Sequence, residues 1–94
     1  VTALVRPVAL TGADQLVMAS TSVYAGFTVR ETSGASPAVV DIYDGTSAAG
    51  TKLETIRLAA SASLRKGYRG GIWAANGIFV DVVSGAVAGS VRIA

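Results

Sequence analysis

The sequence predicts an all-β fold, a small antiparallel β-sandwich of jelly-roll-like or Ig-like type with about seven or eight short strands. Three observations predict it. Residues 22–32 alternate strictly between apolar and polar or small side chains, the mark of a strand with one buried face. Turn-forming clusters recur along the chain at roughly 8–12-residue intervals, and no helical period persists beyond about two turns. The chain is organised around residues 37–58, where two strand-like runs flank Asp44-Gly45 and a seven-residue loop (44–50), a hairpin signal.

Taken in order, residues 1–10 are extended in character. Pro7 lacks a backbone donor, which assigns this segment to an edge strand or an arm reaching a neighbour. Residues 11–14 form a turn, and Leu16-Val17-Met18 a short strand; a helix capped by Thr11 or Asp14 is the alternative, but the run is too short to show a period. In the 22–32 strand, Val23, Ala25, Phe27 and Val29 share one face, while Tyr24, Gly26, Thr28 and Arg30 share the other. Residues 33–37 are a loop by composition. In the hairpin, Val40 and Ile42 oppose Val39, Asp41 and Tyr43 in parity. Leu53 and Ile56 disagree in parity, which calls for a bulge near Glu54-Thr55. Residues 59–63 connect to a short strand through Tyr68 that carries Leu64, and Arg69-Gly70-Gly71 is a flexible break. Ile72-Trp73 leads into a strand with Ile78, Val80 and Val82 on one face and Phe79, Asp81 and Val83 on the other. Ser84-Gly85 then turns into Val87–Ile93, an expected second hairpin. The expected core is Phe27, Val29, Val40, Ile42, Ile56, Leu58, Ile78, Val80, Val82, Val91 and Ile93.

Composition narrows the function. Ninety-four residues make one domain. Hydrophobic residues make up 51% and charged residues only 15%, so a monomer exposes considerable apolar surface and assembly is expected. Cysteine and histidine are both absent, which removes disulfides, thiol nucleophiles, imidazole bases and the usual zinc ligands. A net charge of +2, spread along the chain, does not make a nucleic-acid face, and the apolar runs are far too short to span a membrane.

The chemistry-bearing residues read as structure. Asp41, Asp44 and Glu54 surround the hairpin without the Asp-x-Asp-x-Asp-Gly spacing of a calcium loop, and Asp44 is turn chemistry. Gly67-Tyr68-Arg69-Gly70-Gly71 lacks the Gly-Lys-Ser/Thr ending of a phosphate loop. The serines have no obvious base. Tyr24, Tyr43, Tyr68 and Trp73 are either a carbohydrate platform or caps on the core and anchors of an interface. The sequence therefore yields no catalytic, cofactor-binding or metal-binding residue, and the chain is expected not to be an enzyme. Arg65, Lys66 and Arg69 form the one basic cluster, either a solvated strand end or a contact for an acidic partner, including a neighbour's carboxylates. With Val1, Leu4, Val5, Pro7, Val8, Leu10 and Trp73 they make up the expected interface.

Three stretches carry a resemblance: Gly26-Phe27-Thr28-Val29-Arg30-Glu31-Thr32-Ser33-Gly34, then Val40-Asp41-Ile42-Tyr43-Asp44-Gly45-Thr46-Ser47 with Gly50, then Asn76-Gly77-Ile78-Phe79-Val80-Asp81 with Val82-Val83-Ser84-Gly85. From Val23 onward the chain resembles small structural proteins of tailed bacteriophages, capsid decoration (cement) or head-fibre modules. The resemblance implies a β-sandwich seated on the outer capsid surface, a major capsid protein as partner, and a homo-oligomer, with a trimer favoured. It transfers no site residues, and it extends equally to tail or baseplate proteins. A carbohydrate- or receptor-binding module is the alternative function.

Overall fold

The structure, a computed structural model, describes residues 4–94. These form eight strands, β1 (Arg6–Ala9), β2 (Gln15–Met18), β3 (Ser22–Glu31), β4 (Ala38–Asp44), β5 (Thr51–Leu58), β6 (Ser63–Ala74), β7 (Ile78–Ser84) and β8 (Val87–Ile93). They make two four-stranded sheets, a first in the order β1-β8-β3-β6 and a second in the order β2-β7-β4-β5. Every pairing is antiparallel: β1 with β8, β2 with β7, β3 with β6 and β4 with β5. The chain is thus a long two-stranded ribbon, closed at the β4–β5 hairpin and rolled so that β3 also pairs β8 and β4 also pairs β7. This is a jelly roll, one of the two sandwich types the sequence allowed.

The rolled ribbon sorts the loops to two ends. At one end, Glu31 N donates to Ala62 O (2.8 Å) and Thr32 N to Ala86 O (3.0 Å). At the other, Gly45 N donates to Gly77 O (3.1 Å), and Val23 and Ala94 exchange two backbone bonds. Pairing of Arg6 with Ile93 brings both ends of the described chain to that second end.

The core lies between the sheets. Phe27, Val29, Val91 and Ile93 of the first sheet meet Val40, Ile42, Ile56, Leu58, Ile78 and Val80 of the second, all buried. Of the expected core only Val82 is left half-buried at its edge. Tyr24, Ala38, Ala74 and Val87 are buried as well.

The structure corrects the sequence reading in four places. First, the alternation of β3 breaks at Ala25. Tyr24 pairs Ile93 and Gly26 pairs Arg92, so Ala25 is an extra residue against β8. One inserted residue reverses every side chain beyond it, and Tyr24 is therefore buried while Val23 and Ala25 are not. Second, β6 runs unbroken for 12 residues, including Arg69-Gly70-Gly71 and Ile72-Trp73. Its residues 68–71 bulge opposite Ala25 alone, with Gly70 and Gly71 both at positive φ. Third, the β5 bulge falls at Leu53, because Ile42 pairs Glu54 and Tyr43 pairs Lys52. Fourth, β7 and β8 are not a hairpin. Ser84-Gly85 carries the chain from the second sheet to the first, where β8 inserts between β1 and β3.

Candidate interaction surfaces

The outer face of the first sheet follows from its pairing. Because Phe27, Val29 and Val91 point inward, their neighbours Thr28, Arg30, Ser90 and Arg92 point out. Thr28 pairs Ser90 on one side and Arg65 on the other. Arg30 pairs Ala88 and Ser63, and Gly26 pairs Arg92 and Gly67. Apart from the arginines, the residues of this face are small or hydroxylated. Arg92 lies along it, donating through Nη1 to Thr28 Oγ1 (2.8 Å) and through Nη2 to Phe27 O (3.1 Å) and Lys66 O (2.6 Å). Gly26 leaves room for its guanidinium: a Cβ there would stand 2.9 Å from Nη2 and overlap the Lys66 carbonyl oxygen.

The expected basic cluster is divided by this geometry. Arg65, Lys66 and Arg69 are all exposed on β6, an edge strand. Arg65 takes the outer parity beside Thr28. Lys66 pairs Phe27 and takes the inner parity at the open margin, its ammonium 5.5 Å from the Tyr68 ring centroid. Arg69 sits in the bulge. Trp73 is 72% exposed, its indole N–H donating to Thr21 Oγ1 (2.9 Å). Leu4 (91%), Val5 (52%) and Pro7 are exposed. Val8 and Leu10 pack against the core instead, because β1 pairs within its own sheet; Val1 lies outside the described residues. Val5, Val23, Ala25, Tyr68, Ala94 and the Gly70-Gly71 pair line a cavity of about 210 Å³ beside this strand.

The outer face of the second sheet joins strand faces that the sequence showed only one at a time. Phe79 pairs Leu16 and Tyr43, forming an apolar row across β2, β7 and β4. Leu16 is 48% exposed, and the Lys52 ammonium lies 5.8 Å from the Tyr43 ring centroid. One row along, Asp41 directly opposes Asp81, and Asp14, just before β2, accepts the Val82 N–H (2.9 Å). Burial pushes the Asp81 carboxyl up, and the charges of Asp14 and Asp41 add to it. Asp41 is itself held by Lys52 Nζ (3.1 Å) and the Thr55 hydroxyl (2.7 Å), which keeps the Lys52 ammonium above its usual range. The alternation of Phe79, Asp81 and Val83 was readable in the sequence; that Tyr43 and Asp41 stand beside them was not, because it depends on pairing between β4 and β7.

Two carboxylates are committed to the fold. Glu31 accepts the backbone N–H groups of Ser33 (2.7 Å), Gly34 (2.7 Å) and Ser61 (3.0 Å), tying together the loops at one end. The Ser61 bond foremost, with those from Ser33 and Gly34, pushes its carboxyl down to about 2. Glu54, on β5, receives the Tyr24 hydroxyl (2.5 Å) on one oxygen and the Tyr68 hydroxyl on the other, bridging the two sheets. Burial, then the bond to Glu54, pushes Tyr68 up to about 12, and Tyr24 rises for the same reasons. These phenols stay protonated donors at neutral pH. Among the described residues no acidic group is arranged to hold a metal ion, and no helix is long and apolar enough to cross a membrane. The chain matches no protein-family model, no curated protein and no solved structure.

Proposed function

We propose that this is a non-enzymatic virion structural protein, a minor capsid or decoration (cement) protein that sits on the outer capsid surface and stabilises the shell. The observation that carries the reading is the rolled ribbon, with strand orders β1-β8-β3-β6 and β2-β7-β4-β5. This jelly roll is a fold of viral capsid and lectin domains. Fold by itself is an analogy, and the reading leans equally on the three phage-like stretches, which fall on β3, on β4 with its loop, and on β7. The partner is then the major capsid protein, and the working form is a homo-oligomer such as a trimer, which gains by avidity on a symmetric lattice. A tail or baseplate position would use the same contacts. The exposed indole of Trp73 favours a second reading, a carbohydrate- or receptor-binding module, since aromatic rings at a surface anchor such ligands.

One comparison separates the two. Co-sedimentation with purified phage shells is expected to show saturable binding and a raised shell melting temperature, with no signal on a glycan array. Glycan binding without shell binding would replace the first reading with the second.

A further inference from the structure

The weak net charge of the chain conceals a division by sheet. The strands of the first sheet hold Arg6, Arg30, Arg65, Lys66, Arg69 and Arg92 against a single carboxylate, Glu31. Glu31 is buried under its three N–H donors and does not reach the outer face. The other five carboxylates belong to the second sheet and the turn before it, and Asp14, Asp41 and Asp81 meet on its outer side.

We propose that the outer face of the first sheet docks onto the outer face of the second sheet of another copy of this chain, with Arg30 and Arg65 facing the Asp14–Asp81 patch. Charge complementarity is the first argument. Arg30 and Arg65 flank Thr28 on a face bearing no carboxylate, and among the described residues the one salt bridge is Lys52–Asp41. Asp81, crowded by two like charges, is a carboxylate that an incoming guanidinium relieves. Lys52 and Arg57 stand on the β5 side of the acidic face, so the contact is displaced toward β2 and β7. The second argument is apolar surface. Trp73 and Val23 border the basic face, and Leu16, Phe79 and Val83 border the acidic one, leaving Leu16, Val83 and Trp73 about half exposed or more. Because two different faces meet, the contact is heterologous and either closes into a ring or propagates. This stands apart from any shell, and its test uses the chain alone.

The test is sedimentation velocity over a concentration series at about 20 mM and about 500 mM salt, with two charge-reversed proteins: Arg30→Glu with Arg65→Glu, and Asp81→Lys. The wild type is expected to self-associate at low salt and to lose about tenfold or more in affinity at high salt. Each reversed protein, shown to be folded by circular dichroism, is expected to sediment alone as a monomer, and an equal mixture of the two to associate again. The proposal is overturned if the wild type stays monomeric at low salt, if either folded variant alone still associates, or if their mixture does not. The salt series on the wild type decides the matter even where a variant fails to fold.

Discussion

Glu31 and Asp81 are carboxylates displaced in opposite directions, and they give the protein opposing responses to acid. Glu31 is lower in the folded chain, at about 2, than the ordinary glutamate value of 4.5. The unfolded chain therefore binds its proton first as pH falls. The stability that Glu31 contributes is complete above about pH 4.5 and disappears as pH drops toward 2. Melting temperatures of the wild type and of Glu31→Gln should differ at pH 6 and converge toward pH 2; a constant gap would mean that the carboxylate charge is not what holds the 32–37 loop. Asp81 is raised in the folded chain by burial and by its neighbours Asp14 and Asp41. Its ionised form is disfavoured in the fold, so it lowers stability at neutral pH; the penalty begins to shrink as pH falls through the raised value and is gone below the ordinary 3.8. Asp81→Asn is accordingly expected to raise the melting temperature at pH 7, with the gain vanishing in acid. No gain at pH 7 would show that the carboxylates are separated more effectively than their pairing suggests.

At the scale of elements, β3 holds the clearest test. Gly26 has φ of +136°, and a Cβ there would overlap the Lys66 carbonyl oxygen and crowd Arg92. Gly26→Ala should therefore cost at least ~1 kcal/mol in urea denaturation, from backbone strain alone; an unchanged midpoint would mean that β6 moves away freely. The same strand shows what the sequence could and could not reveal. From Gly26 onward, the parity of Phe27 and Val29 was correct because burial on one face is written into the alternation. Before it, Val23 and Ala25 were assigned to the wrong side. The inserted residue shows only against β8, and no local pattern in β3 records that partner. The β4–β5 hairpin was legible because both strands and their Asp-Gly turn are neighbours in the chain. The β7–β8 corner was not, since Ser84-Gly85 suits a hairpin and a change of sheet equally well. For the interaction surfaces, the exposure of Arg65 and Lys66 followed from residue type, whereas that of Trp73 did not, since a tryptophan is as readily a cap on the core. That Arg65 and Lys66 take opposite faces follows from strand alternation; which of them faces outward, and the meeting of Asp14 with Asp81, required strand register. Val8 and Leu10, expected in an arm or edge strand packed on a neighbour, lie on or beside an edge strand, β1, but pack on the core of their own chain because β1 pairs with β8. Deleting residues 1–10 should then lower stability as well as any association; a truncated chain that melts with the wild type would show β1 to be dispensable to the sandwich.

The whole molecule depends on pairs far apart in sequence. Only β4 and β5 are neighbours in both chain and sheet, and β1 waits for β8 until nearly the whole chain is present. Such topology folds slowly, in roughly milliseconds to seconds, because loop closure precedes the contacts that compensate it. The buried layer welds the rolled ribbon together, and Phe27, 1% exposed, stands near its middle. Phe27→Ala is expected to cost about 3–5 kcal/mol by equilibrium denaturation, the range for a fully buried aromatic cut to Ala. A loss below ~1 kcal/mol would place the centre of the core elsewhere.

The sorting of loops to two ends has a practical meaning. Arg6 and Ile93 are paired, so both ends of the described chain leave from one pole. The loops around residues 32–37, 59–62 and 85–86 occupy the other. A partner that grips the sandwich through the two ends of the described chain therefore holds it by one side. A foreign peptide spliced between Ala35 and Ser36, beyond the residues that Glu31 clamps, would be carried on the opposite pole. The protein is in this sense a ready-made display scaffold, with its handle and its showcase at opposite ends.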